Sequence, residues 1–143
     1  DRKIRQNFKE NLLANGLFGL NPFGTTACRV AYEEGEPWLE DLLRYLKSNL
    51  KTLINHFEKN IPEIRVIQPQ GTYLVWFDCR PLGLDKHQLR NLFLNQARVF
   101  LDEGGLFGPE GDGFQRINIA CPRSLLMEAL ERIVAAVNGI PAT

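Results

Sequence analysis

The apolar positions Ile4, Phe8 and Leu12, with Leu13 beside them, recur at helical spacing and stop at Asn15-Gly16, which predicts one amphipathic helix. Asn21-Pro22 offers a second helix start, because proline lacks an N–H that the first helical turn would leave unpaired anyway. A small-residue helix through Ala27, Val30 and Ala31 is expected to run from there to Gly35. After Glu36-Pro37 the longest periodic run of the chain begins. Trp38, Leu42, Leu46, Leu50, Leu53 and Phe57 share one face, while Asp, Arg, Lys and Asn fill the other. The pattern predicts a helix over residues 37 to 60, about 35 Å long at ~1.5 Å per residue. A helix of that length in so short a chain is expected to bridge two structural regions.

Pro62 ends the helical pattern. The segments Ile64 to Ile67 and Thr72 to Phe77, separated by Pro69-Gln70-Gly71, read as two strands around a turn, the second apolar on both faces. Asp85 with Gln88 three positions later has the form of a capping box, opening a short helix that carries Leu89, Leu92 and Phe93. Val99-Phe100-Leu101 reads as a further strand. A glycine-rich stretch, GGLFGPEGDG from Gly104 to Gly113, leads into the strand FQRINIA. Pro122 to Ser124 then begins a final helix through Ile133 and Val137 to Asn138-Gly139. The order after the first helices is β, β, α, β, β, α. It predicts an α/β (α+β two-layer) domain with helices on one sheet face, preceded by a helical arm.

Charge narrows the partners. Seventeen basic side chains offset seventeen acidic ones, and no basic patch stands out. There is thus no general attraction to phosphate backbones or anionic lipid. No apolar run approaches the ~20 residues of a membrane-spanning helix, and the opening DRKIRQNFKEN is not the apolar core of a signal peptide. A cytoplasmic protein with neither nucleic acid nor membrane as partner is expected. Cys28, Cys79 and Cys121 lie far apart, which fits reduced thiols better than a disulfide framework or a metal site. Residue 1 is Asp and the only methionine is Met127, so the chain reads as a piece of a longer protein.

Candidate chemistry is sparse. Closely spaced glycines can turn backbone amides toward an anion, but neither phosphate-binding fingerprint occurs here, and the stretch feeds a strand where both need a helix N-terminus. A tightly turned or mobile loop is the plainer reading. Ser48-x-x-Lys51 resembles a nucleophilic pairing only superficially, since both residues fall on the long amphipathic helix and the partner motifs are missing. His56 and His87 lack the spacing of a helical metal pair, and no metal site is expected. With no G-x-S-x-G motif the chain looks catalytically incomplete.

Arg116 stands apart. Period-two alternation in FQRINIA puts Phe114, Arg116 and Asn118 on one face and Gln115, Ile117 and Ile119 on the other, so a guanidinium projects from a mostly apolar strand. Its planar fork matches a carboxylate in bidentate fashion, and a strand fixes its aim. The residues alone leave two readings open: a grip for an anionic ligand, or an edge-strand arginine paired with Asp112 or Glu110.

Three segments carry a resemblance: NPFGTTACRVAYEEGEPWLEDLLRYLKSN, IPEIRVIQPQGTYLVWFDCRPLGL and GGLFGPEGDGFQRINIACPRSLLMEALERI. With their motifs AY-x-x-GE-x-WL, P-x-GTYL-x-W-x-D and F-x-R-x-N-x-ACPRS, the chain resembles the C-terminal half of the class I/II pyridoxal-phosphate aminotransferase family. The branch it is most similar to is the MalY/PatB-type carbon–sulfur lyases, or cystathionine β-lyases. The resemblance implies the type I pyridoxal-phosphate fold, with residues 1–36 as the tail of the large cofactor domain, 37–60 as the interdomain helix and 61–143 as the small domain. It implies that Arg116 grips the substrate α-carboxylate, with Asn118, Phe107 and Gly108 near the substrate. The Schiff-base lysine and the other pyridoxal 5'-phosphate contacts belong to the family's earlier half, so no catalytic or cofactor-binding residue is expected here, and the chain alone is expected to be inactive. The resemblance further implies a homodimeric parent enzyme acting on an amino acid with a β-thioether. An aminotransferase and a non-catalytic, partner-binding or regulatory module are the alternatives.

Overall fold

The first helix, α1 (Arg2–Ala14), opens where the Asp1 carboxylate accepts the Lys3 and Ile4 N–H groups, and closes at Asn15. The second, α2 (Pro22–Glu34), opens under Asn21, whose side-chain oxygen takes the Phe23 N–H at 2.9 Å, and closes at Gly35. Both caps satisfy amides that a first helical turn leaves without a partner. The computed structural model describes residues 1–17, 19 and 21–140 and divides into two units, residues 1–41 and the chain from Leu42 onward. In the first unit neither helix buries a residue: Ile4, Phe8 and Leu13 are each more than half exposed.

The long helix, α3 (Glu36–Asn60), begins in the first unit and ends in the second. Its buried residues are Leu46, Asn49, Leu53 and Phe57, all in the second unit, whereas Trp38 and Leu39 in the first unit are exposed. Four strands form the sheet: β1 (Arg65–Ile67), β2 (Leu74–Asp78), β3 (Asp102–Glu103) and β4 (Phe114–Asn118). Their order is β1-β2-β4-β3 and every neighbouring pair is antiparallel. Between β2 and β3 lies α4 (Lys86–Arg90), opened by the reciprocal Asp85–Gln88 capping box and continued by a π-helical turn over Asn91–Gln96. The last helix, α5 (Arg123–Asn138), follows β4 and closes at Gly139.

Strand alternation sorts the sheet into two faces. Val75 and Phe77 of β2, and Gln115 and Ile117 of β4, point to the face where Leu53, Phe57, Leu92, Phe93, Leu126, Leu130 and Ile133 pack. Phe77 sits edge-on to Phe57 at 5.4 Å between ring centres and tilted against Phe93 at 5.9 Å. Each such large apolar side chain contributes roughly 1.5–3 kcal/mol relative to its exposed state. The helices therefore cover one face of an antiparallel sheet, the two-layer arrangement that the element order predicts.

One expected strand is absent. Val99-Phe100-Leu101 is not paired, and the strand starts at Asp102. The cause is local: Arg98 adopts a left-handed φ of 55°, and the Val99 N–H donates to the Phe93 carbonyl at 2.9 Å, closing the preceding helical turn. These residues are spent ending a helix before a ladder can begin.

Candidate functional site

Away from the core, the open face of the sheet presents Leu74, Trp76 and Asp78 of β2 beside Asn118, Arg116 and Phe114 of β4. Because β4 is an inner strand, Arg116 has a cross-strand neighbour on each side, Trp76 on β2 and Asp102 on β3. It is thus not an edge-strand arginine, and its carboxylate partner is Asp102, where the sequence suggested Asp112 or Glu110. The Arg116 Nε and Nη2 both donate to the same oxygen, Asp102 Oδ2, at 3.1 and 2.7 Å. Phe107 lies over the guanidinium at 4.3 Å, Trp76 at 5.9 Å, and the two rings meet edge-to-face at 5.3 Å. Such cation–π contacts strengthen as water is excluded. The Arg116 side chain keeps 22% of its surface exposed, and among the described residues nothing hydrogen-bonds its Nη1. A guanidinium has two donor edges. Here the Nε–Nη2 edge is committed, and the Nη1–Nη2 edge remains for a second planar anion.

The glycine-rich stretch explains how Phe107 gets there. It folds as two 3₁₀ turns, Gly104–Phe107 and Pro109–Gly111. Gly104 and Gly111 pass so close that a Cβ on either would strike the other's carbonyl oxygen. Gly108, between the turns, has a φ of 136°, which side-chain-bearing residues rarely adopt. The N–H groups of Gly108, Gly111 and Asp112 donate to the Gly105, Gly108 and Pro109 carbonyls. These amides are used within the loop rather than aimed at an anion, in keeping with a tight turn and not a phosphate cradle. Phe107, Trp76, Phe114, Ile67, Glu110 and Gly111 line an open cleft of about 410 Å³, of which Arg116 is not itself a lining residue.

The other expected residues fall less centrally. Asn118 shares the open face two positions beyond Arg116, but its Oδ1 accepts the Ala120 N–H at 2.8 Å and so shapes the turn after β4. It lines a separate cleft of about 410 Å³ with Cys121, Leu125 and Arg132, which does not include Arg116. The aromatic neighbours give the better account of the site, because they surround the cation. Ser48, read as part of a solvated helix face, accepts from Arg123 Nη2 at 2.8 Å. Arg123 also donates to the buried Asn49 and to Thr52, at 2.6 and 2.9 Å, while Asn49 donates to the Ile119 carbonyl at 2.8 Å, tying α3 to the start of α5. His56 is half-buried and His87 exposed, and no cluster of potential metal ligands occurs among the described residues.

Asp78 is buried on the open face's margin. The Arg80 guanidinium, hydrogen-bonded to it at 2.9 and 2.8 Å, holds its carboxyl below the usual range against the opposing effect of burial. Arg80 in turn stacks over Phe114 at 4.6 Å. Burial pushes the Cys79 and Cys121 thiols upward, which makes them poor nucleophiles at neutral pH. The residues missed by sequence reasoning are Asp102 as the partner of Arg116 and the Asn49–Arg123 tie. The only available signal for Asp102 was hairpin register, and that could be read only once the ends of the glycine loop were known.

Comparison with known proteins identifies the family of the chain. No family model matches the chain. It is 36% identical over 138 residues to cystathionine beta-lyase PatB of Bacillus subtilis, covering 96% of this chain and 36% of that protein. It is 36% identical over 126 residues to protein MalY of Escherichia coli, covering 88% and 32%. Cystalysin from Treponema denticola, whose crystal structure contains pyridoxal 5'-phosphate, superposes with a TM-score of 0.84 at 35% identity over 95% of this chain and 34% of that one. Fold and likeness together define a C-terminal segment of the type I pyridoxal-phosphate fold. The chain belongs to the class I/II pyridoxal-phosphate-dependent aminotransferase family, beside its MalY/PatB-type carbon–sulfur lyases. It spans about a third of the length of these relatives.

The family's cofactor is pyridoxal phosphate, and the described residues do not fit it by themselves. Lys3, Lys9, Lys47, Lys51, Lys59 and Lys86 are all exposed, and the glycine loop offers no amide nest. What the chain presents on the open face of its sheet is a cation with one donor edge uncommitted among the described residues. No helix among the described residues is long and apolar enough to cross a membrane.

Proposed function

We propose that this segment serves a cytoplasmic, homodimeric carbon–sulfur β-lyase that cleaves the Cβ–S bond of cystathionine or cysteine conjugates to pyruvate, ammonia and a thiol. Its contribution is Arg116, which binds the substrate α-carboxylate. The observation that carries the reading is a guanidinium held on an inner strand, roofed by Phe107, with its Nη1–Nη2 edge uncommitted. Likeness to lyases by name supports the reaction class. In this reading residues 1–36 are the tail of the large domain, 37–60 the interdomain helix and 61–143 the small domain; residues 18, 20 and 141–143 lie outside the described residues. The unburied apolar faces of α1 and α2 support an assignment in which the rest of a longer polypeptide covers them.

The cofactor, held by residues outside this chain, supplies an electron sink for the substrate's Cα. The chain's own residues do the aiming. Arg116 fixes the carboxylate, and with it the rotation of the Cα–H bond, so that binding energy becomes reactive geometry. Phe107 and Trp76 cover the guanidinium face and leave its edge for a charged hydrogen bond, worth about 1.5–3 kcal/mol. Gly108 acts by setting the turn that carries Phe107, and Asn118 by shaping the turn after β4. The Schiff-base lysine lies elsewhere, and the isolated chain is inactive.

Incubating the full-length protein with cystathionine tests the reading: pyruvate and thiol should form without any added keto acid. Turnover that needs a keto acid and releases no thiol would assign an aminotransferase. Absence of both would leave a non-catalytic module. A stoichiometric, lysine-linked absorption band on adding pyridoxal phosphate to the 143-residue chain would refute the inactivity of the segment.

A further inference from the structure

We infer that Asp102 is a positioning residue for substrate recognition, locking the Arg116 guanidinium edge-on so that its free edge faces the α-carboxylate. The inference rests on the carboxylate-binding role of Arg116. The two residues are direct cross-strand partners on β3 and β4, so their side chains leave the sheet on the same face. Asp102 uses one oxygen, Oδ2, for both Nε and Nη2, and among the described residues nothing donates to its Oδ1. That geometry removes the rotation an arginine side chain otherwise has about its last bonds. Phe107 on the guanidinium face removes tilting out of plane. Trp76, opposite on β2, closes the remaining flank.

An arginine so held presents a planar two-donor fork at a fixed angle, and loses little conformational freedom when a carboxylate docks. The cost is electrostatic. Asp102 neutralises part of the cation, so the lock exchanges raw attraction for orientation. A ligand is then selected by its ability to accept two parallel hydrogen bonds, which a carboxylate can do and a carboxamide cannot. Asp102 therefore acts on discrimination between acid and amide, a property that a purely structural ion pair would not govern.

The test compares Asp102→Ala, Asp102→Asn and Arg116→Lys in the full-length holoenzyme. Steady-state rates are measured on a carboxylated substrate and its carboxamide, and binding of a non-reactive carboxylated analogue by calorimetry. Circular dichroism melts confirm which variants fold. Asp102→Ala is expected to lower the acid-to-amide ratio of kcat/KM about 10-fold or more, the loss of one charged hydrogen bond. The loss should sit mainly in KM, with a matching rise in the calorimetric Kd. Asp102→Asn keeps an oxygen at the bridging position and should recover most of the ratio. If Arg116→Lys collapses the ratio while every folded Asp102 variant leaves it unchanged, the positioning role is overturned and the carboxylate grip stands. If Arg116→Lys also leaves the ratio unchanged, the reading of Arg116 fails and the role of Asp102 falls with it.

Discussion

Helices α1 and α5 carry similar apolar periodicity and reach opposite ends. In α5 the residues Leu126, Leu130, Ile133 and Val137 are buried, whereas in α1 the residues Ile4, Phe8 and Leu13 remain exposed. Spacing makes the helix in both cases. Burial needs a second apolar surface, and the chain from Leu42 onward supplies one in the inner face of the sheet. Among the described residues of 1–41 none is buried. The long helix α3 shows the same contrast along one element, with Trp38 and Leu39 exposed and Leu53 and Phe57 fully buried. An amphipathic pattern thus reports that a partner surface exists, without saying where.

Substitutions should separate the two regions sharply. Phe77→Ala, at the point where Phe57 and Phe93 converge, is expected to cost about 3–5 kcal/mol through lost burial and the cavity left behind. Phe8→Ala, 63% exposed, should stay within about 0.5 kcal/mol. Urea unfolding of the 143-residue chain measures both, and equal effects would mean that the first unit is packed after all. A smaller loss is expected at the polar tie. Asn49→Ala strips partners from Arg123 Nε and from the Ile119 and Cys121 carbonyls, and should cost about 1–3 kcal/mol for the groups left unpaired. Arg123→Ala leaves Asn49 with its carbonyl partners and should cost less, so the reverse ranking would show that the arginine carries the tie.

Much of this was legible from local chemistry. The Asn21 cap, the Asp85–Gln88 capping box, the Gly35 and Gly139 helix ends and the extent of α3 each follow from groups within a few residues of one another. Alternation in FQRINIA likewise placed Ile117 inward and Arg116 outward, because a strand has only two faces. What stayed hidden was non-local. The Val99–Leu101 run has strand composition, yet its fate is set by the left-handed turn at Arg98 and the carbonyl of Phe93. Asp102 meets Arg116 only through the register of a hairpin whose connection consists of two 3₁₀ turns. Ser48 looked like helix surface because its partner, Arg123, lies seventy-five positions away.

Arg116 sharpens the comparison in another way, since function and stability should part company there. Its pair with Asp102 is open to solvent, with 22% and 42% of the two side chains exposed. Arg116→Ala should therefore change folding stability by less than about 1 kcal/mol. In the full-length enzyme the same change should lower kcat/KM about 10- to 100-fold, the loss of a charged hydrogen bond to substrate. A large destabilisation with unchanged turnover would make the residue structural and nothing more.

The smallest effect concerns Asp78, the one buried charged residue among those described, and it appears only as a dependence on pH. Its carboxyl is held below the ordinary value of 3.8, first by the side-chain hydrogen bond from Arg80 and also by the charge of Arg65, its cross-strand partner. A carboxyl whose folded pKa is depressed releases its proton more readily in the folded chain than in the unfolded one. Its contribution to stability is thus complete above the ordinary value and fades as pH falls through the lower, folded one. Asp78→Asn keeps the shape and removes the charge. The variant should be less stable than the parent chain at pH 6, and the gap should close as pH is lowered past 4. Urea midpoints taken along that series decide the matter. A gap that persists unchanged into acid would mean that shape and hydrogen-bond count, rather than ionisation, hold the Asp78–Arg80 corner of the sheet together.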